Sequence, residues 1–172
     1  KDIEIARRLG ADGVVFGCLT ADGEVDLTSM QILMEASKGL SVTFHRAFDV
    51  CRNPQKALEE IIELGCNRIL TSGQQPTAEQ GIGLLKELQG LAAGRITLLA
   101  DCGVNENNIA RIAAETGINE FHFSARESIQ SEMKFRNEVV SMGGTVHINE
   151  YERNVTSVRR VRETVEALYK GM

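Results

Sequence analysis

A chain of 172 residues, 42% of them hydrophobic, is long and apolar enough to bury one sizeable core, which excludes a disordered segment. A formal net charge of -5 argues against nucleic acid as the partner, because phosphate binding wants a basic face. No apolar run reaches the ~20 residues of a membrane-spanning helix and no basic-then-apolar leader opens the sequence, so a soluble cytoplasmic protein is expected.

In chain order, "IEIARRL" (3–9) reads as the end of a helix. Five short apolar runs then read as strands: 13–20, 41–48, 68–73, 96–103 and 120–126. Helical patterns separate them. Asp26 is the expected N-cap of the first, and Asn53 with Pro54 at the first helical position opens the second. "TAEQGIGLLKELQGL" and "NENNIARIAAETG" follow the next two strands, and "TSVRRVRETVEALYKGM" closes the chain. Gly10, Gly65 and Gly117 are expected to be left-handed helix stops. The segment 127–156 breaks this repeat and reads as a long loop, with a turn at Gly143-Gly144 and His147 at the surface.

Val14, Val42, Ile69, Ile96 and Phe121 recur at 25 to 28 residues, about one βα unit. Strict alternation predicts a mainly parallel sheet with helices outside it. An open doubly wound sheet and a (β/α)8 TIM barrel compete. The barrel is favoured because two strands alternate: Val42 and Phe44 oppose Thr43 and His45, and Phe121 and Phe123 oppose His122 and Ser124. The expected unit is a single domain over 1–172 holding about five βα units of a barrel, with the first three absent.

In a parallel barrel the strand C-termini share one face, where active sites lie. His45, Arg46, Ser72, His122, Ser124 and Arg126 all fall at strand ends, and Asp49 follows closely. His45 suits a general base, a proton shuttle or a metal ligand, and His122 likewise. Arg46 and Asp49 would bind an anion and orient His45, or lock the loop as an ion pair. Arg126, with Ser72 and Ser124, is the better candidate for anion binding. No cysteine pair has CxxC spacing, which excludes a zinc knuckle or thioredoxin-like motif, and reduced thiols are expected. Thiolates with imidazoles favour Cu(I), making Cys18, Cys51 and Cys102 the candidate metal ligands. Cys66 lies at the other end and reads as a small core residue.

Together "GADGVVFGCLT", "VTFHRAFDV", "RILTSG", "EFHFSAR" and "MKFRN...VSMGG" resemble the CutC family, associated with cellular copper homeostasis. The resemblance implies a (β/α)8 barrel, cytoplasmic with a nuclear pool in eukaryotic members, and homo-oligomeric. It begins at about the helix before the fourth strand. His45, Arg46, Asp49, Ser72, His122, Ser124 and Arg126 match the family motifs. One departure is "ADCGVN", where Asp101 and Cys102 replace two of the family's usual glycines; the added charge disfavours a phosphate and favours a cation. Two functions follow as expectations: a copper homeostasis protein binding Cu(I), or a barrel enzyme acting on a small anionic metabolite.

Overall fold

The computed structural model describes residues 1–137, 139–140, 142–143, 145–146 and 148–171. In order these form α1 (Asp2–Arg8), β1 (Gly13–Phe16), α2 (Leu27–Ala36), β2 (Ser41–Phe44), a 3-10 turn (Arg46–Val50), α3 (Pro54–Glu63), β3 (Arg68–Thr71) and α4 (Ile82–Ala92). Then come β4 (Thr97–Ala100), α5 (Ile109–Thr116), β5 (Glu120–Phe121), β6 (Arg126–Gln130), β7 (Glu152–Thr156) and α6 (Val158–Gly171). The local signals act as expected. Asp26 accepts the Ser29 N–H at 3.0 Å, Asn53 accepts that of Lys56, and Pro54 opens α3. Gly10, Gly65 and Gly117 have φ of 85°, 85° and 76°, the left-handed region that releases the chain from a helix.

The sheet order is β1-β2-β3-β4-β5, all parallel. A doubly wound sheet reverses its winding partway, whereas a strictly consecutive order is that of a barrel wall. The fold is therefore of the (β/α) barrel type, with five βα units. Among the described residues β1 and β5 have no strand on their outer sides.

The core lies between the sheet and its helices. Val42, Phe44, Ile69 and Leu98 are register neighbours on the helix-facing side, all buried. Against them pack Leu58 and Ile61 of α3, Leu85 and Leu88 of α4, and Ile109 and Ile112 of α5. Each pair is three residues apart, one side of a helix, and each such side chain contributes about 1.5–3 kcal/mol on burial. The opposite, lumen-facing side is polar and half-exposed at its base. There Arg68 reaches across β4 to Glu120 at 2.6 Å and donates to Ser41 Oγ at 3.2 Å.

Two expectations change. The strands are shorter than their apolar runs: they stop at 16, 44, 71, 100 and 121, where side-chain hydrogen bonds and turns take over the backbone. The segment 127–156 is not simply a loop. Arg126–Gln130 pairs antiparallel with Glu152–Thr156, so Arg126 opens a two-stranded ribbon rather than ending a barrel strand. His147 and Gly144 lie outside the described residues. Among the described residues no helix is long and apolar enough to cross a membrane.

Candidate functional site

The strand register places the polar residues. His45 N–H donates to Phe16 O, Asp101 N–H to Thr71 O, and His122 N–H to Ala100 O, so each extends the ladder one step past its strand. The register is staggered. Phe44 pairs with Ile69, so β3 runs two residues beyond β2. His45 therefore sits one side-chain layer below Asp101 and His122, and the two histidines are not brought together.

Around β2 and β3 the groups lock one another. Asp49, its side chain 6% exposed, accepts Arg46 Nε at 2.7 Å, Thr71 Oγ1 at 2.6 Å, and the N–H groups of Ser72 and Gln74 at 3.1 Å. Phe48 of the same 3-10 turn is buried in the core. Each nitrogen of the Arg46 guanidinium makes one contact, since it donates also to Ser72 Oγ at 2.9 Å and to Cys102 Sγ at 2.6 Å. Asp49 does not orient His45; it anchors the loop after β3. His45 Nδ1 instead accepts the Ala47 N–H at 3.1 Å, which leaves the neutral ring's proton on Nε2. Gly17 makes room for this ring, since a Cβ there would stand 2.9 Å from His45 Nδ1. Ser72 is fully buried, and its hydroxyl donates to Gln75 O at 2.5 Å. Arg46 and Ser72 thus anchor the loop after β3.

A second cluster is open. A cavity of about 390 Å³ is lined by Asp101, Cys102, His122, Ser124, Arg126 and Arg160, among others. His122 Nδ1 lies 3.0 Å from Asp101 Oδ1, with the imidazole 61% and the carboxylate 16% exposed. Arg126 makes no side-chain hydrogen bond or ion pair among the described residues. Arg160 of α6 is paired with Glu106 at 3.1 Å and donates to Arg126 O. The cavity floor is strained. Cys102 and Ala125 have φ of 71° and 45°, backbone that glycine adopts freely and other residues pay for. Sequence spacing does not reveal the Asp101 partnership or the Arg160 wall. Asp101 follows Ala100 as His122 follows Phe121, and Ala100 and Phe121 are register partners; that signal needs the strand register.

The three candidate metal-ligating cysteines are not gathered. Cys51 is buried beneath Gln74, whose Nε2 donates to Cys51 O at 2.7 Å, and burial pushes its thiol up to about 11. Cys102 is held by Arg46; burial and then the Asp101 charge raise its thiol above the ordinary range. Cys18 packs against the core from β1's loop. Among the described residues no three His, Cys, Asp or Glu side chains form a group that could hold a metal ion. These cysteines do not fit a copper site.

The comparisons with known proteins are concordant. The CutC family model matches residues 1–127. The chain belongs to the CutC family. It is 77% identical over 168 residues to a CutC family protein of Bacteroides thetaiotaomicron, covering 98% of this chain and 68% of that protein. A CutC family protein of Chromobacterium violaceum is 47% identical over 170 residues, 99% of this chain and 68% of its own length. A solved structure from Streptococcus agalactiae, described as a candidate copper homeostasis protein CutC, superposes with a TM-score of 0.68 at 33% identity. That match covers 70% of this chain and 60% of the other. The chain thus spans about two thirds of the length of these CutC relatives.

Proposed function

We propose that this chain serves copper homeostasis, and that its strand-end cavity takes a small anionic ligand. The copper link is supported by family membership and by the description of the Streptococcus agalactiae protein. The anionic ligand is supported by one observation above all. Arg126, with no partner among the described residues, lines the same cavity as the His122–Asp101 pair.

Arg126 binds the anion, and the Ser124 hydroxyl adds a donor. His122 holds or moves a proton, with Asp101 fixing its tautomer as a carboxylate does for a histidine base. Asp101 tempers the positive charge, so the cavity favours a singly charged carboxylate over a phosphate ester, without shutting the latter out. The cytoplasmic, homo-oligomeric setting implied by the family belongs to this proposal. His45 stays outside the lining residues and caps the 3-10 turn.

A thermal-shift screen of small carboxylates and phosphate esters tests the reading. Stabilisation of the native chain that disappears in both Arg126→Ala and His122→Ala supports it. Stabilisation indifferent to both substitutions, or no stabilising compound, removes its support.

A further inference from the structure

We infer that the strand-end cavity takes a small hydroxycarboxylate, its carboxylate on Arg126 and its hydroxyl donated to His122 Nε2. This rests on the anion-site reading and narrows it to one ligand class. The two ring nitrogens of His122 have different surroundings. Nδ1 lies 3.0 Å from Asp101 Oδ1. An ionised carboxylate offers acceptors only, so Nδ1 carries the proton of the neutral ring. Nε2 is then a bare acceptor. Asp101 is the only side-chain partner of His122 among the described residues, and the imidazole is 61% exposed at the cavity wall. His45 has the opposite tautomer, because its Nδ1 accepts the Ala47 N–H. Of the two histidines, His122 alone presents an acceptor to this cavity.

A bare acceptor does not bind a plain carboxylate, which has no hydrogen to give it. The ligand must bring a donor as well as a negative charge. A hydroxyl supplies one hydrogen for one lone pair. An ammonium would bring three hydrogens and a positive charge beside Arg126. The Asp101 carboxylate is only 16% exposed and already holds His122, so it is a poor counter-ion for an ammonium. One anionic group matches the cation supply: Arg160 is neutralised by Glu106, which leaves Arg126 as the uncommitted guanidinium among the described residues of the lining. Val104, Phe123 and Ala125 complete the wall with apolar surface, which suits a short carbon skeleton.

NMR titrations of the native chain at about pH 8, where free imidazole is neutral, test this with propionate, lactate and alanine. These share one skeleton and differ in bearing hydrogen, hydroxyl or ammonium. Acetate against glycolate and butyrate against 3-hydroxybutyrate vary the reach of the hydroxyl. In at least one pair the hydroxy acid is expected to bind about fivefold or more tightly than its deoxy partner, the gain of one good hydrogen bond. Alanine should bind more weakly than lactate. His122→Ala should bring the hydroxy acid down to its deoxy partner, and Arg126→Ala should weaken both. Asp101→Asn separates this role from a structural one. Its amide can donate to Nδ1 as well as accept, so the tautomer is no longer fixed. The hydroxyl preference should shrink, while the plain carboxylate, relieved of a nearby negative charge, binds at least as well. Nitrogen NMR of the native His122 ring should show a protonated Nδ1 and a bare Nε2. A preference that survives in His122→Ala, tighter binding of alanine than of lactate, or a protonated Nε2 would each overturn the inference. If carboxylates bind the native chain without regard to the hydroxyl, this inference falls and the anion site stands. If none binds, the anion-site reading falls and this one with it.

Discussion

Asp101 and His122 face each other at 3.0 Å because the residues before them, Ala100 and Phe121, are register partners in β4 and β5. The pair is set by the backbone ladder, not by packing, and the imidazole is largely exposed. An exposed pair of this kind contributes little to stability. Asp101→Asn and His122→Ala are therefore expected to change unfolding free energy by no more than about 0.5 kcal/mol in urea titrations. A loss above about 2 kcal/mol would mean that the pair holds the fold and is not free for a ligand.

Asp49 behaves oppositely. Its nearly buried carboxylate ties Arg46, Thr71, Ser72 and Gln74 into one loop. Asp49→Ala leaves the Arg46 charge and two backbone N–H groups without their acceptor. A loss of at least about 3 kcal/mol in urea unfolding is expected. A loss below about 1 kcal/mol would show that water replaces the carboxylate there.

The strand-and-helix order, the helix caps and the αL glycines were legible in the sequence because they depend on local spacing. The barrel choice was legible from the alternation of Val42, Thr43, Phe44 and His45. The site was only partly so. Residues such as Arg46, Ser72 and Arg126 all fall at strand ends in the sequence, yet Arg46 and Ser72 are consumed by Asp49 and the Gln75 carbonyl. That depends on the 3-10 turn folding back over β3, which no periodicity encodes. The cysteines were misleading for the same reason: shared residence at one end of the sheet does not bring side chains together. Met34 and Cys66 meet because a helix end and a strand start adjoin, a contact 32 residues apart in sequence.

Thiol labelling reads the cysteine environments directly. Cys51 and Cys66 are buried and their thiols are pushed up to about 11. At pH 8 only about one in a thousand is thiolate, the reactive form. Cys18 and Cys102, partly exposed, should label first, and Cys51 and Cys66 only on unfolding. Four thiols reacting at one rate in the native chain would contradict this arrangement.

Acid sensitivity should track Glu106. The Arg160 hydrogen bond is the main cause holding its carboxyl below the ordinary value of 4.5. A carboxyl depressed in the folded state stabilises fully above its unfolded value and loses that stabilisation as pH falls through the folded one. Stability should thus begin to fall below about pH 4.5 and continue falling as Glu106 takes up its proton. Glu106→Gln is expected to flatten this part of the stability–pH curve in urea titrations. An unchanged slope would show that the Arg160 pair does not couple to folding.

The most direct measurement is the midpoint of thermal unfolding with each of a panel of small carboxylates and phosphate esters, on the native chain beside Arg126→Ala. At least one compound is predicted to raise the native midpoint and leave that of Arg126→Ala unmoved. A panel that never shifts the native midpoint, or one that shifts both chains equally, would contradict an anion site at the Asp101–His122 cavity.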